Sequence, residues 1–264
     1  MRFILLLIYI SLFVFSMVGC GDKEPKGEYY VKFSDVTVES GLGDFIHENG
    51  AFGAKWFPEP MGGGGGFIDY DNDGWQDILL VRGGTWPGRN DGMVPVLALY
   101  RNNGDGTFTD KTDESGLNEF STYGLGIAVT DYDNDGDEDF LLTTLFENML
   151  FRNENSRFIE IGGKAGIANG ARLSTSALFF DADKDGWLDL YIGNYIRWSP
   201  ETDIWCSFQG DKGYCTPNIY EGVPGRFYKN NGDGTFSDLT QEAGFLPAPG
   251  KTLSAVELDY NKDG

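Results

Sequence analysis

The chain has a single histidine, three cysteines and about half as many basic as acidic residues, and each shortage argues against a class of function. With only His47 available, a Ser-His-Asp arrangement would have to use that residue, and its HENG context has no nucleophile motif beside it. Cys206, Cys215 and His47 together leave a four-ligand zinc site one ligand short. The 41 acidic against 20 basic residues give a formal charge of −21, which argues against nucleic acid as a partner, because phosphate backbones need basic patches. The glycine run at 62–66 is no phosphate loop, since no lysine follows it and it leads into a strand-like stretch. A long apolar run occurs at residues 3–18, at the N-terminus.

What the chain does have is aspartate at a fixed spacing. In GFIDYDNDGWQDILLV, Asp69, Asp71, Asp73 and Asp77 occupy positions 1, 3, 5 and 9 of a loop with Gly74 at position 6. Four carboxylates packed this closely repel one another, and a hard divalent cation that takes six to eight oxygens would hold them together. Calcium is the natural candidate. Glycine at position 6 permits the positive φ of a tight turn, and the backbone carbonyl of Trp75 at position 7 supplies a further oxygen. The loop differs from an EF-hand, whose position 12 is a bidentate Glu, because here that position is Leu80 and the flanks are short apolar runs of strand length.

The pattern recurs. Asp131, Asp133, Asp135, Asp137 and Asp139 surround Gly136, with Asp137 at position 7, and Asp181, Asp183, Asp185, Trp187 and Asp189 surround Gly186. A fourth copy begins with Asp259, Asn261 and Asp263, and the sequence ends before its position 9. First positions lie 62 (69 to 131), 50 (131 to 181) and 78 (181 to 259) residues apart, a period of propellers, solenoids or arrays. Between the loops stand LYRNNGDGTF, MLFRNENSRF and FYKNNGDGTF, each an aromatic strand entering a polar turn and leaving as a second strand. Two strands flank the loop and two flank the turn. Four antiparallel strands per repeat predict an all-β chain of propeller blades over residues 62–117, 123–167 and 174–245, with the start of another at 251–264. A β-helix of calcium-binding nonapeptides is the runner-up, against which the long, uneven spacing speaks. Within a propeller, close backbone packing near the axis accounts for the glycine run at 62–66.

At the N-terminus, Arg2, the apolar run and MVGC read as a secretory signal over 1–19, and the cysteine makes it resemble a lipoprotein signal. That resemblance implies processing before Cys20 and a lipid on it, with a polar tether following to residue 29; an uncleaved membrane anchor is the alternative. Export places Cys206 and Cys215 in an oxidising compartment, where a disulfide is the first reading. Both lie in an insertion at 196–225 whose Trp198, Trp205, Phe208, Tyr214 and Tyr220 either pack it onto its own blade or form a binding surface.

These motifs, with HENG at 47–50, PEPMGGGGGFIDYDNDGWQD at 58–77, YGLGIAVTDYDNDGDEDF at 123–140 and YCTPNIYEGVP at 214–224, carry a family resemblance. The chain resembles bacterial FG-GAP/VCBS-repeat proteins of the cartilage acidic protein, or ASPIC/UnbV, family, whose blades are similar to those of integrin α-chains. The resemblance covers nearly everything after residue 30. It implies a calcium-binding propeller, commonly seven-bladed, followed by an ASPIC/UnbV domain, of which residues 30–264 hold the first part. The expectation is a lipid-anchored module at the cell envelope, holding one calcium ion in each of three complete loops and binding a protein or glycan. The competing class is an enzyme, such as a carbohydrate-active propeller, with its catalytic residues on a rim or further along the chain. In an open arc, 30–37, which reads as a blade's outer strand standing ahead of the first blade, would be loose or paired with a substitute edge.

Overall fold

The computed structural model describes residues 31–84, 86, 94–167, 170, 172–245 and 250–260. The signal, Cys20 and the tether lie outside them. The chain divides into two units, Met1–Asp35 and Val36–Gly264. In the first, residues 31–35 form neither helix nor strand, and Val31 and Phe33 are exposed.

The second unit is built from three four-stranded antiparallel sheets. The first runs β1 (Gly65–Ile68), β2 (Asp77–Val81), β3 (Leu97–Asn102) and β4 (Phe108–Asp110); the second runs β5 (Gly124–Thr130), β6 (Asp139–Thr144), β7 (Met149–Asn153) and β8 (Phe158–Glu160). One helical turn, α1 (Gly162–Ala165), follows. The third sheet takes β9 (Ser174–Phe180) and β10 (Asp189–Asn194), then, beyond a separate hairpin β11 (Cys206–Phe208) and β12 (Asp211–Gly213), β13 (Arg226–Asn230) and β14 (Phe236–Asp238). Each sheet is one repeat: the aspartate loop joins its first two strands and the asparagine-rich turn its last two. Among the described residues no strand of the third sheet pairs with the first.

Each sheet stacks its face on the next. Phe140 and Leu142 of β6 share a core with Ile68, Leu79 and Val81, whereas Leu141 between them shares one with Leu190, Ile192 and Tyr228. Successive side chains leave a strand on opposite faces, so a sheet covered on both sides reads as a continuous apolar run; β6 is buried at every position. Close backbone packing explains part of the glycine run: a Cβ on Gly63 would stand 2.4 Å from the Val81 carbonyl oxygen and one on Gly64 would stand 2.9 Å from that of Leu125, whereas one on Gly62 would meet nothing.

Corners join the blades. The Phe158 N–H of β8 donates to the Ser115 carbonyl at 3.0 Å, and the Phe108 N–H of β4 donates to that of Ser40 at 2.7 Å. Both serines belong to an ESGL sequence. Residues ahead of the first sheet therefore meet it as the first repeat meets the second, although 31–36 form no strand. Residues 251–259 form none either; Thr252 donates its N–H to the Asn194 carbonyl at 3.0 Å, and Val256, Leu258 and Tyr260 are exposed.

The insertion holds a Cys206–Cys215 disulfide with 5.3 Å between Cα atoms. Its aromatics divide between the two expectations, and those that pack share a core with Tyr195 and Ile196 of their own blade and with residues from much earlier in the chain. Trp198 lies 5.8 Å, ring to ring, from both Trp56 and Trp86, and Tyr220 lies 4.9 Å from Phe57, so the insertion folds onto Trp86 of the first repeat and onto Trp56 and Phe57 just ahead of it. Trp205 and Phe208 are 68% and 72% exposed.

Candidate metal centres

Strand register sets the shape of each loop. Position 9 pairs with the residue just before position 1: Asp77 with Ile68, Asp139 with Thr130, Asp189 with Phe180. The backbone between them turns left-handed twice, at position 4 (Asn72, Asn134 and Lys184, φ 55, 57 and 61°) and at position 6 (Gly74, Gly136 and Gly186, φ 87, 96 and 90°). Glycine is needed at position 6 for that reason. The chain's own carboxylates hold the turn: Asp69 accepts the N–H groups of Asp73 and Gly74 at 3.0 and 2.9 Å, and Asp131 and Asp181 accept the matching pairs. Position 5 accepts the N–H of position 7, as Asp73 does from Trp75 at 2.9 Å, Asp135 from Asp137 and Asp185 from Trp187. The rings of Trp75 and Trp187 lie against Gly104 and Gly232, where any Cβ would crowd them.

Three carboxylates converge in each loop, with ligand oxygens all within 4.8 Å of one another. They are Asp69, Asp71 and Asp77; Asp131, Asp133 and Asp139; and Asp181, Asp183 and Asp185. Position 5 is thus left out of the first two clusters, where Asp73 and Asp135 stand aside, and position 9 is left out of the third, where Asp185 replaces Asp189. Asp137, at position 7, sends its carboxylate to the neighbouring loop, accepting from Asn72 Nδ2 at 2.6 Å. Of the incomplete fourth repeat, Asp259 is described and exposed, while Asn261 and Asp263 lie outside the described residues.

Position 9 has a second task that spacing alone does not reveal. Asp77, Asp139 and Asp189 are buried, and each accepts two backbone N–H groups. One comes from loop position 2 (Tyr70, Tyr132 or Ala182, 3.1–3.2 Å) and the other from an asparagine at the end of the third strand (Asn102, Asn153 or Asn230, 2.7–2.9 Å). Burial raises Asp77 to about 6 and Asp139 to about 8 in spite of these donors, with Asp71 and Asp73, or Asp133 and Asp135, adding repulsion. Asp189 and Asp133 are pushed up by burial as well. At position 3, Asp71 Oδ1 and Asp133 Oδ1 are buried and have no hydrogen-bond partner.

The three asparagines are residues bonded to the loops that the aspartate pattern misses, and the basic residues just before them, Arg101, Arg152 and Lys229, are missed as well. The signal was the Arg-Asn or Lys-Asn pair recurring at the head of each turn. His47 lies away from the loops, with Nδ1 3.3 Å from the Val81 carbonyl oxygen.

No curated protein matches the chain. Residues 69–142 match the FG-GAP-like repeat, a span that opens on the first aspartate of the first loop and closes within β6, so that it takes in two complete loops. With that match laid on three sheets of one design, the chain carries FG-GAP-like repeats folded as four-stranded blades.

Proposed function

We propose that the chain is a calcium-binding propeller module of the ASPIC/UnbV kind, exported and lipid-anchored through Cys20, which binds a protein or glycan at the cell envelope. The observation that carries the calcium reading is the pair of buried carboxylate oxygens at position 3, Asp71 Oδ1 and Asp133 Oδ1, each within a converging cluster and without a donor. A buried charged oxygen without a partner is costly, and an ion would satisfy it. The clustered aspartates, with the position 7 carbonyls of Trp75, Asp137 and Trp187, form all-oxygen donor sets suited to calcium. The ion would supply charge neutralisation and rigidity at the end of the blades where the loops lie.

The binding reading rests on the exposed Trp205 and Phe208 beside a cleft of about 450 Å³ lined by Lys55, Phe208, Lys212 and Tyr214. Aromatic side chains flanked by cations suit a protein or glycan surface.

Titration of the metal-free chain with calcium should show three sites, and at tenfold excess over its dissociation constant each site adds about 1.4 kcal/mol of stability. Equal melting with and without calcium would sink the calcium reading. Capture from an envelope fraction should depend on Trp205 and Phe208, and Cys20→Ser should free the protein from membranes.

A further inference from the structure

The three loops are alike in their aspartates and differ in the cation each is offered. In every blade the third strand has a basic residue immediately before the asparagine that donates to position 9. Arg101 donates from Nε to Asp71 Oδ2 at 2.5 Å and from a terminal nitrogen to Asp73. Lys229 donates to Asp185 Oδ2 at 2.7 Å and to Asp183. Each thus spans positions 3 and 5 and neutralises part of its own loop, and each is held more strongly protonated by those carboxylates.

Arg152 does otherwise: its guanidinium pairs with Glu154. The cause is a single position. Two residues after the basic side chain, the first and third blades have Asn103 and Asn231, whose amides are engaged within their own turns by Thr107 and Thr235. The second blade has glutamate there, just past the end of β7, where its carboxylate meets the Arg152 guanidinium. Among the described residues no basic side chain forms an ion pair with Asp131, Asp133 or Asp139, and Arg152 acts on Asp133 only from a distance, favouring its charged form without bonding to it.

We infer that the third-strand cation grades the loops: the second loop, whose arginine is held off by Glu154, takes calcium most tightly, and the first and third take it more weakly because the ion must displace Arg101 or Lys229. The inference rests on the calcium reading above. Arg101 and Lys229 are each about a third exposed, so the handicap is that of a screened ion pair made twice, a factor of roughly five to ten in affinity.

The test uses the position 7 residues as reporters. Trp75 and Trp187 flank the first and third loops, where a bound terbium ion would be sensitised by indole, whereas the second loop has Asp137. Calorimetric titration with calcium should resolve one tight site and two weaker ones, and calcium should quench tryptophan-sensitised terbium emission only after the tight site has filled. Glu154→Asn should weaken the tight site roughly five- to tenfold and leave the others alone; Lys229→Met should tighten one weak site by a similar factor. Lys229→Gln serves as a second variant should the methionine disturb folding. Three equal sites, or a tight site indifferent to Glu154→Asn, would overturn the grading while leaving calcium binding intact. Absence of binding to the wild type would overturn both.

Discussion

Asn153 holds two blades with one side chain. Its N–H donates to Asp139 Oδ1 at 2.8 Å, while Nδ2 donates to the Tyr70 carbonyl of the preceding loop at 2.9 Å and to the Glu138 carbonyl of its own loop at 3.3 Å. Asn230 repeats this with Asp189, Tyr132 and Leu188. Asn102 reaches only its own loop, at the Gln76 carbonyl. Alanine at these positions keeps the main-chain donor and removes the amide. Asn153→Ala and Asn230→Ala should therefore each cost roughly 1–3 kcal/mol, because a buried carbonyl loses its donor, and Asn102→Ala should cost less. Urea unfolding of the three variants decides it, and equal losses would show that donation across the blades contributes nothing. The aspartate spacing was legible in the sequence because positions 1 to 9 are neighbours along the chain. The task of Asn153 was not, since its partner Tyr70 lies 83 residues earlier and an asparagine at the head of a polar turn signals a hairpin equally well. Nor could spacing show that position 9 spends both its oxygens on backbone donors.

At the scale of elements, the blades were legible and the insertion only partly so. Strand, loop, strand, turn and strand follow from local patterns, and the sheets fall inside the ranges 62–117, 123–167 and 174–245. The insertion has no alternation from which to choose a face. Its cysteines pair as expected, yet its aromatics separate because of a residue with no motif, Asp203. Trp198 Nε1 donates to Asp203 Oδ1 at 2.8 Å, Tyr220 Oη donates to the same oxygen at 3.3 Å, and Lys212 donates to Oδ2 at 2.9 Å. That hub holds Trp198 against Trp56 and Trp86, and Tyr220 against Phe57, all of which come from more than a hundred residues earlier. Trp198→Ala should cost about 3–5 kcal/mol, as for a large buried ring, whereas Trp205→Ala should stay within about 0.5 kcal/mol. Replacing Cys206 and Cys215 by serine should remove roughly 2–3 kcal/mol. A comparable loss at Trp205 would mean that this ring, just ahead of β11, is packed rather than presented.

Across the whole molecule the loops form one connected row carrying much of the −21 charge. Asn72 donates to Asp137 and Asn134 to the Gly186 carbonyl at 3.1 Å, while the Asp69 N–H donates to Glu138 at 2.6 Å, so each loop is tied to the next. Their buried carboxyls make metal-free stability depend on pH in a definite sense. Asp77 at about 6 and Asp139 at about 8 lie above the ordinary carboxylate value near 4 that the unfolded chain would show, and Asp189 is raised too. The folded chain therefore binds these protons more tightly than the unfolded one. The resulting stability is fully present below about pH 4 and is lost as pH rises through about 6 and then about 8. Carboxyls shifted the other way, such as Asp185 beside Lys229 or Asp238 beside Thr240, change stability below about pH 4 and leave the window between 5.5 and 8.5 alone. Relief of the general negative charge acts in the same direction as the buried acids. Without calcium, then, the melting temperature should be higher at pH 5.5 than at pH 8.5. On the calcium reading the ion stands in for the protons, so calcium should raise the melting temperature more at pH 8.5 than at pH 5.5, narrowing the difference. Asp139→Asn, which removes the more strongly shifted of Asp77 and Asp139, should flatten the metal-free dependence on its own. A metal-free chain that melts lower at pH 5.5 than at pH 8.5 would show that the buried carboxyls are already compensated by the backbone donors around them.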